Sequence, residues 1–279
     1  MIDTISDLLR CPVCTSPVAV AGGSLRCRQG HSFDIARQGY VNLLTRRPRG
    51  ANADTADMVA ARDRLLAGGH FAPLADRLAA VASQIAPPAA RVAEAGAGTG
   101  YYLRRVIDRL PGSRGLGTDL SPYACRRIAR VARVGAVVAD TWAGLPVRDE
   151  ALDLIMVVFA PRNPAAFARM LRPGGRLLIA SAADDHLAEV RDGLGMIDVR
   201  PGKAETLRES LREWFDVEHH EGVRAPMVLD PPALTDLVLM GPTAHHRPAD
   251  LADRIAALTQ PTPVTLSVDL SVFRRRPDR

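Results

Sequence analysis

Four residues near the start of the chain have the types and spacing of a metal site. Cys11 and Cys14 flank Pro12-Val13, and after a gap of twelve residues comes Cys27, with three residues between it and His31. Three thiolates and one imidazole form the tetrahedral donor set that structural zinc prefers. Each of two short loops supplies two ligands, so the backbone can wrap a single ion. Four protein ligands leave no position for water, and the predicted zinc, one per chain, is therefore structural and not catalytic. A segment of about 40 residues is too small to rely on a core alone, so the metal should supply much of its folding energy. Cys125 stands apart from this group and reads as a small buried hydrophobe.

A second group surrounds Glu94-Ala95-Gly96-Ala97-Gly98-Thr99-Gly100. Glycine lets a backbone turn sharply and approach a ligand closely. The spacing is G-x-G-x-G and not the G-x-G-x-x-G of dinucleotide sites, and no Lys-Ser/Thr follows to mark a triphosphate loop. Asp119 ends the next predicted strand, where a carboxylate can bind both hydroxyls of a ribose. Asp140 follows the third strand with Trp142 close by, which places a polar group and an aromatic at an adenine. A nucleoside without a triphosphate, with an ammonium for Glu94 to attract, describes S-adenosylmethionine. NAD is the competing ligand.

These residues need a scaffold. From Met58 to Ile85 apolar residues recur at helical steps, broken by Gly68-Gly69. Strands are then predicted at 91–95, 114–119, 136–139, 152–159 and 176–180, alternating with helices at 101–110, 122–134 and 165–171. Such alternation implies an α/β fold with a mostly parallel sheet covered on both faces. In the tail, helices are predicted at 203–212 and 234–240 and a strand at 214–223. Residues 264–273, VTLSVDLSVF, alternate and read as an edge or antiparallel strand. The predicted organisation is a zinc-binding domain over 1–45, a linker over 46–57 and a catalytic domain over 58–279.

The chain has 279 residues, 47% hydrophobic and 24% charged, the balance of an ordinary globular protein. Its longest apolar run, residues 154–161, falls far short of the ~20 residues of a membrane span. Asp3 and Asp7 stand where an export signal would need a basic and then an apolar region, so a cytoplasmic location is expected. The formal net charge is +5. The first 50 residues hold seven arginines against three aspartates, so most of the excess lies there. A concentrated basic excess is one signature of a polyanion-binding module. Its cations include Arg26, Arg28, Arg37, Arg46, Arg47 and Arg49, candidate phosphate contacts in a nucleic acid.

The glycine loop and its acids resemble class I S-adenosylmethionine-dependent methyltransferases, Rossmann-like folds with a mostly parallel seven-stranded sheet. The turn Leu171–Ile179, LRPGGRLLI, is similar to a motif they share. The segments GHSFDIARQGYVNLL (30–44), DMVAARDRLLAGGHFAPL (57–74), EAGAGTGYY (94–102) and VFAPRNP (158–164) narrow the likeness. Together they resemble the large-subunit (23S) rRNA guanine-N1 methyltransferases, and most of all their actinomycete macrolide-resistance branch, known from tylosin producers. That resemblance implies methyl transfer to N1 of one guanine in an rRNA hairpin near the peptide exit tunnel, a zinc module that serves RNA recognition, and a homodimer. It implies cofactor contacts by Phe71, Glu94, Gly96, Ala97, Gly98, Thr99, Gly100, Tyr101, Asp119, Leu120, Asp140, Thr141 and His186. A base must remove the N1 proton, and no motif names it. Phe159, Asp184 and His186 are the candidates at the rim where ligands bind in open sheets, Phe159 as a stacking partner for the guanine. Two other functions fit the motifs less fully. One is a small-molecule methyltransferase, for which a basic zinc module has no use. The other is a nucleic-acid-binding regulator with a vestigial cofactor fold, which leaves the intact loop acids unexplained.

Overall fold

A computed structural model describes residues 2–46, 53–198, 202–246 and 248–277. Ile2–Leu9 forms two short turns that lead into a three-stranded antiparallel sheet of β1 (Val18–Ala21), β2 (Ser24–Cys27) and β3 (Ser32–Asp34). β4 (Tyr40–Asn42) then leaves this small sheet and joins the large one.

The large sheet alternates with helices. Its parallel strands are β5 (Arg91–Ala95), β6 (Arg114–Asp119), β7 (Val134–Val138), β8 (Leu152–Val158) and β9 (Leu171–Ala182). Two antiparallel strands, β10 (Phe215–Leu229) and β11 (Thr262–Arg275), complete it. Among the described residues it has eight strands in the order β10-β11-β9-β8-β5-β6-β7-β4. Every residue of β8 is buried, as a central strand covered on both faces requires.

The helices are α1 (Ala56–Ala67), α2 (Ala72–Ile85), α3 (Tyr101–Arg109), α4 (Pro122–Ile128), α5 (Pro164–Met170), α6 (Ala188–Arg191), α7 (Lys203–Leu211), α8 (Pro231–Leu239) and α9 (Leu251–Ala256). Local chemistry sets where several begin. The side chains of Thr55, Ser121, Asn163 and Asp230 accept from backbone N–H groups in the first turns of α1, α4, α5 and α8. Proline follows the cap directly in the last three, at a position that needs no N–H.

Strand residues divide by alternation between two cores. Val92, Leu154 and Met156 join Leu65, Leu78 and Leu103 on one face. Ala93, Ile155 and Val157 join Phe167 and Ile2, Ile5, Leu8 and Leu9 on the other. The N-terminal segment is therefore part of the catalytic domain's second core. A Cβ added at Gly135 in β7 would lie only 2.1 Å from Ile5, so glycine there is what admits the segment against the sheet.

The structure corrects two expectations, the strand number and the length of one helix, and adds detail to others. The sheet has eight strands where seven were expected, because Tyr40–Asn42 pairs with Ala136–Val138 of β7. Across the predicted division at residues 46–57 the two parts are in contact. Arg10 N–H donates to Pro146 O, Arg148 N–H to Leu8 O, and Arg114 pairs with Asp7. Within the predicted linker, residues 47–52 lie outside the described residues, whereas Asp54 and Thr55 are fixed by hydrogen bonds. The helix expected over 122–134 stops at Ile128, since the chain must turn, with Arg133 at φ 61°, to enter β7. In the tail, β11 is antiparallel, one of the two expected forms, and lies inside the sheet, while β10 takes the edge, with Asp216, Glu218 and Glu221 paired to Arg276, Arg176 and Arg77. Charged edges of this kind resist addition of a further strand. Among the described residues no helix is long and apolar enough to cross a membrane.

Candidate metal centre and cofactor site

Two tight turns build the metal centre. In the first, Thr15 N–H donates to Cys11 O with Thr15 at φ 62°; in the second, Gly30 N–H donates to Cys27 O with Gly30 at φ 86°. These turns aim four side chains at one point. His31 Nδ1 lies 3.6 Å from Cys11 Sγ and 3.4 Å from Cys27 Sγ, and Cys14 Sγ lies 3.6 Å from Cys27 Sγ. All four ligand atoms lie within 4.8 Å of one another. A tetrahedron with Zn–S bonds of ~2.3 Å has edges of about 3.8 Å, so the cluster fits zinc. Hydrogen bonding with Ser16 draws the Cys14 thiol down to about 6, towards the thiolate that a metal requires. The four cysteines form no disulfide.

The glycine loop lies between β5 and α3. Gly96, Gly98 and Gly100 all have positive φ, at 70°, 55° and 79°, and Gly100 caps α3. A Cβ at Gly96 would come within 2.5 Å of Ala160 Cβ, so the loop packs directly on the segment that follows β8. The Ala97 N–H donates to Thr118 O, and Thr99 is buried.

The two acids of this loop have distinct partners. Glu94 is 1% exposed, and its Oε2 accepts from Leu103 N–H at 3.0 Å, tying β5 to the start of α3. Burial pushes its carboxyl up to about 8, with the charge of Asp119 acting in the same direction. Asp119 accepts from Gly98 N–H at 2.9 Å through one oxygen and from Ser121 N–H at 2.8 Å through the other. Burial raises it to about 6 against the opposing effect of those two hydrogen bonds. Glu94 therefore favours protonation when nothing is bound, and a cationic ligand would favour its charged form, whereas Asp119 stays mostly ionised at neutral pH.

The other expected cofactor residues are placed unevenly around this loop. Leu120 follows Asp119 and is partly exposed, Asp140 accepts from Trp142 N–H, and Thr141 is buried beside it. Tyr101 packs edge-on against Tyr102 at the start of α3. Phe71 is 1% exposed and belongs to the core that contains Leu65, Leu74 and Tyr102. Arg62 was not singled out by sequence. From α1 it reaches the loop, where a Cβ at Gly98 would meet its guanidinium at 3.2 Å, and it pairs with Asp54. Helical spacing gave no sign of this, because the contact is made between distant segments.

The carboxyl-terminal rim brings Phe159 and His186 together, with ring centroids 5.5 Å apart. Phe159 is 43% exposed and held at φ 52°, an uncommon backbone for a bulky residue. His186 Nδ1 lies 2.8 Å from Ser267 O and 3.3 Å from Ser267 N, so it donates to the first or accepts from the second according to its tautomer. Asp184 is exposed, whereas Asp185 is paired to Arg224. In the zinc ribbon, Arg26, Arg28, Arg37 and Arg46 are exposed. Arg47 and Arg49 lie outside the described residues.

Comparison with known proteins agrees with this geometry. Residues 9–47 match the family model "RlmA, N-terminal", a zinc ribbon, and residues 92–175 match "Methyltransferase domain". The 23S rRNA (guanine(748)-N(1))-methyltransferase of Streptomyces fradiae is 48% identical over 96% of this chain and 97% of its own length. A putative 23S rRNA (guanine-N(1)-)-methyltransferase of Micromonospora griseorubida is 43% identical over 95% of this chain and 97% of its own. A Bacillus subtilis protein with the same description is 31% identical over 96% of each chain. Among solved structures, a Haloferax volcanii complex of the Trm112 activator with a putative methyltransferase matches 80% of this chain and 99% of that one. Its TM-score is 0.50 at 23% identity, a likeness of fold alone. With a Cys3His cluster shaped for zinc, a methyltransferase sheet and full-length relatives at this identity, the chain belongs to the 23S rRNA (guanine-N1)-methyltransferase family.

Proposed function

We propose that the protein transfers a methyl group from S-adenosylmethionine to N1 of the guanine in 23S rRNA that corresponds to position 748 of its Streptomyces fradiae relative. The observation that carries this reading is one chain holding both an RlmA-type zinc ribbon and a glycine loop closed by Asp119. The target lies in a hairpin near the peptide exit tunnel, and its methylation confers macrolide resistance. The enzyme works in the cytoplasm, where ribosomes are, as a homodimer.

S-adenosylmethionine would supply an electrophilic methyl group for transfer to the guanine nitrogen. The chain's residues orient the reactants. Asp119 holds the ribose, while Leu120, Asp140 and Thr141 surround the adenine. The backbone from Gly96 to Tyr101 approaches the methionine moiety. Glu94 fixes the loop through Leu103 and meets the ligand's positive charge. Phe159 stacks on the target guanine after it leaves its helix. The N1 proton goes to Asp184 or to His186, both at the same rim. Zinc on Cys11, Cys14, Cys27 and His31 keeps the ribbon folded, and Arg26, Arg28, Arg37 and Arg46 meet phosphates.

Labelled methyl transfer to naked 23S rRNA, to assembled large subunits and to a small-molecule extract tests the reading. Primer extension should stop at the modified guanine, because an N1 methyl blocks Watson–Crick pairing. Labelling confined to the small-molecule extract would refute it.

A further inference from the structure

The segment after β8 carries a cation that nothing in the described chain neutralises. Arg162 is partly buried and makes no ion pair or hydrogen bond among the described residues. Every other described arginine that is at least partly buried pairs with a carboxylate; Arg62, Arg91, Arg169 and Arg275 are examples. Burial pulls the Arg162 guanidinium below the ordinary arginine value, and no acid offsets it. A desolvated charge without a counterion is costly. Its persistence here points to an anion that arrives from outside.

Three contacts fix where that anion must come. Ala160 packs on Gly96, the Phe159 ring lies beside His186, and Asn163 Nδ2–H donates to Trp142 O at 3.0 Å. Arg162 therefore stands on the carboxyl-terminal rim, between the cofactor loop and the segment that carries Trp142. Pro161 and Pro164 flank it and stiffen the backbone. Trp142 is 63% exposed, more than any other large hydrophobic side chain described, while its own N–H is held by Asp140. The sequence suggests this aromatic for the adenine, but an indole left in water on a fixed backbone is suited instead to stacking on an unpaired base. Arg162 neighbours Phe159, the residue placed against the target guanine. This favours an anion belonging to the RNA over the cofactor's carboxylate.

We propose that Arg162 and Trp142 form an RNA clamp on the catalytic rim: the guanidinium takes a phosphate flanking the methylated guanine, and the indole stacks on a neighbouring unpaired base. The planar guanidinium fork matches phosphate oxygens in pairs. The clamp rests on the RNA-methylation reading above and adds to it a second nucleic-acid contact, separate from the zinc ribbon.

The chain has two tryptophans, and Trp214 lies by Arg276, near the opposite ends of the strands. The Trp214→Phe variant therefore reports Trp142 emission alone. An RNA hairpin carrying the target guanine should quench that emission, and S-adenosylhomocysteine should not. Arg162→Ala should weaken hairpin binding by about 10- to 100-fold, the scale of a charged hydrogen bond. It should also flatten the salt slope by ~0.7 log units per tenfold change, as expected for one single-strand phosphate contact. Arg162→Lys should restore most of that slope. S-adenosylmethionine affinity, measured by calorimetry, should stay unchanged in each variant, which also shows that the variants are folded. Unchanged hairpin affinity and salt slope in Arg162→Ala, with wild-type methylation of the same hairpin, would overturn the clamp alone. Quenching by S-adenosylhomocysteine together with loss of cofactor affinity would overturn it by assigning both residues to the cofactor pocket. A wild-type protein that neither binds nor methylates the hairpin would refute the RNA reading and the clamp with it.

Discussion

The zinc ribbon and the glycine loop treat charge in opposite ways. The ribbon holds Arg26, Arg28, Arg37 and Arg46 exposed, whereas the loop holds Glu94 and Asp119 inside, against backbone N–H groups. The far edge of the sheet shows a third arrangement, in which Arg77, Arg176 and Arg276 meet Glu221, Glu218 and Asp216. Paired charges there are satisfied within the chain. Exposed cations are suited to a polyanion, and buried acids with raised pKa values are suited to a cationic ligand. The difference teaches that net charge is a coarse locator. The ribbon's excess and the single Arg162 on the rim share one property, the lack of a carboxylate, which composition does not reveal.

Removing zinc should have the largest effect, because the two regions share a core. Ile5 packs on Gly135 and β4 pairs with β7, so Cys27→Ser or chelation should destabilise the whole chain by several kcal/mol. Calorimetry should show a single transition at lower temperature and a weakened cofactor site. Two separate transitions, the ribbon's absent and the sheet's unchanged, would break the comparison by making the regions independent. Next in size, Asp119→Ala removes the ribose acceptor and the anchor of Gly98 N–H. S-adenosylmethionine binding should weaken by ~1.5–3 kcal/mol in titration calorimetry. Unchanged affinity would place the ribose elsewhere.

On the ribbon side, changing Arg26, Arg28 and Arg37 together to Ala should weaken rRNA binding and flatten its salt slope. The expected change is ~0.7–0.9 log units per tenfold change of salt for each phosphate that the ribbon no longer neutralises. S-adenosylmethionine affinity should not move. A wild-type slope would show that exposure without a carboxylate partner does not mark an RNA-binding cation here.

A last test, through pH, concerns Glu94. Its folded-state value, about 8, lies above the ordinary 4.5, so the fold favours the protonated form. Its contribution to stability is fully present below about 4.5 and is lost as pH rises towards 8, with a slope of at most ~1.4 kcal/mol per pH unit. Asp119, raised to about 6, acts in the same sense. Denaturation of Glu94→Gln across pH 5 to 8.5 should show a shallower decline than wild type. Equal slopes would mean that Glu94 is charged in the folded protein.

Much of this site was legible before any fold was known. Cys11, Cys14, Cys27 and His31 announced themselves by spacing, because two short turns suffice to bring paired ligands together. β5 and β6 matched their expected bounds, since an apolar run ended by glycine or an acid is a local signal. The place of β11 was less clear. Its alternation resembled a strand with one wet face, yet Ser267 and Ser271 are buried, with His220 of β10 hydrogen-bonded to Ser271 and Asp185 to Ser267. Strand order depends on pairings between distant segments, which no local pattern encodes.

What the sequence determined by itself was the chemistry on offer: a tetrahedral donor set, a loop able to adopt positive φ three times, and acids placed at strand ends. Side-chain type and short-range spacing are sufficient for that. Only the tertiary structure decided that the ribbon packs against the sheet, that Arg62 lies on Gly98, and that Arg162 finds no counterion among the described residues. Those outcomes follow from burial and from which remote groups meet, and both depend on how all eight strands are ordered.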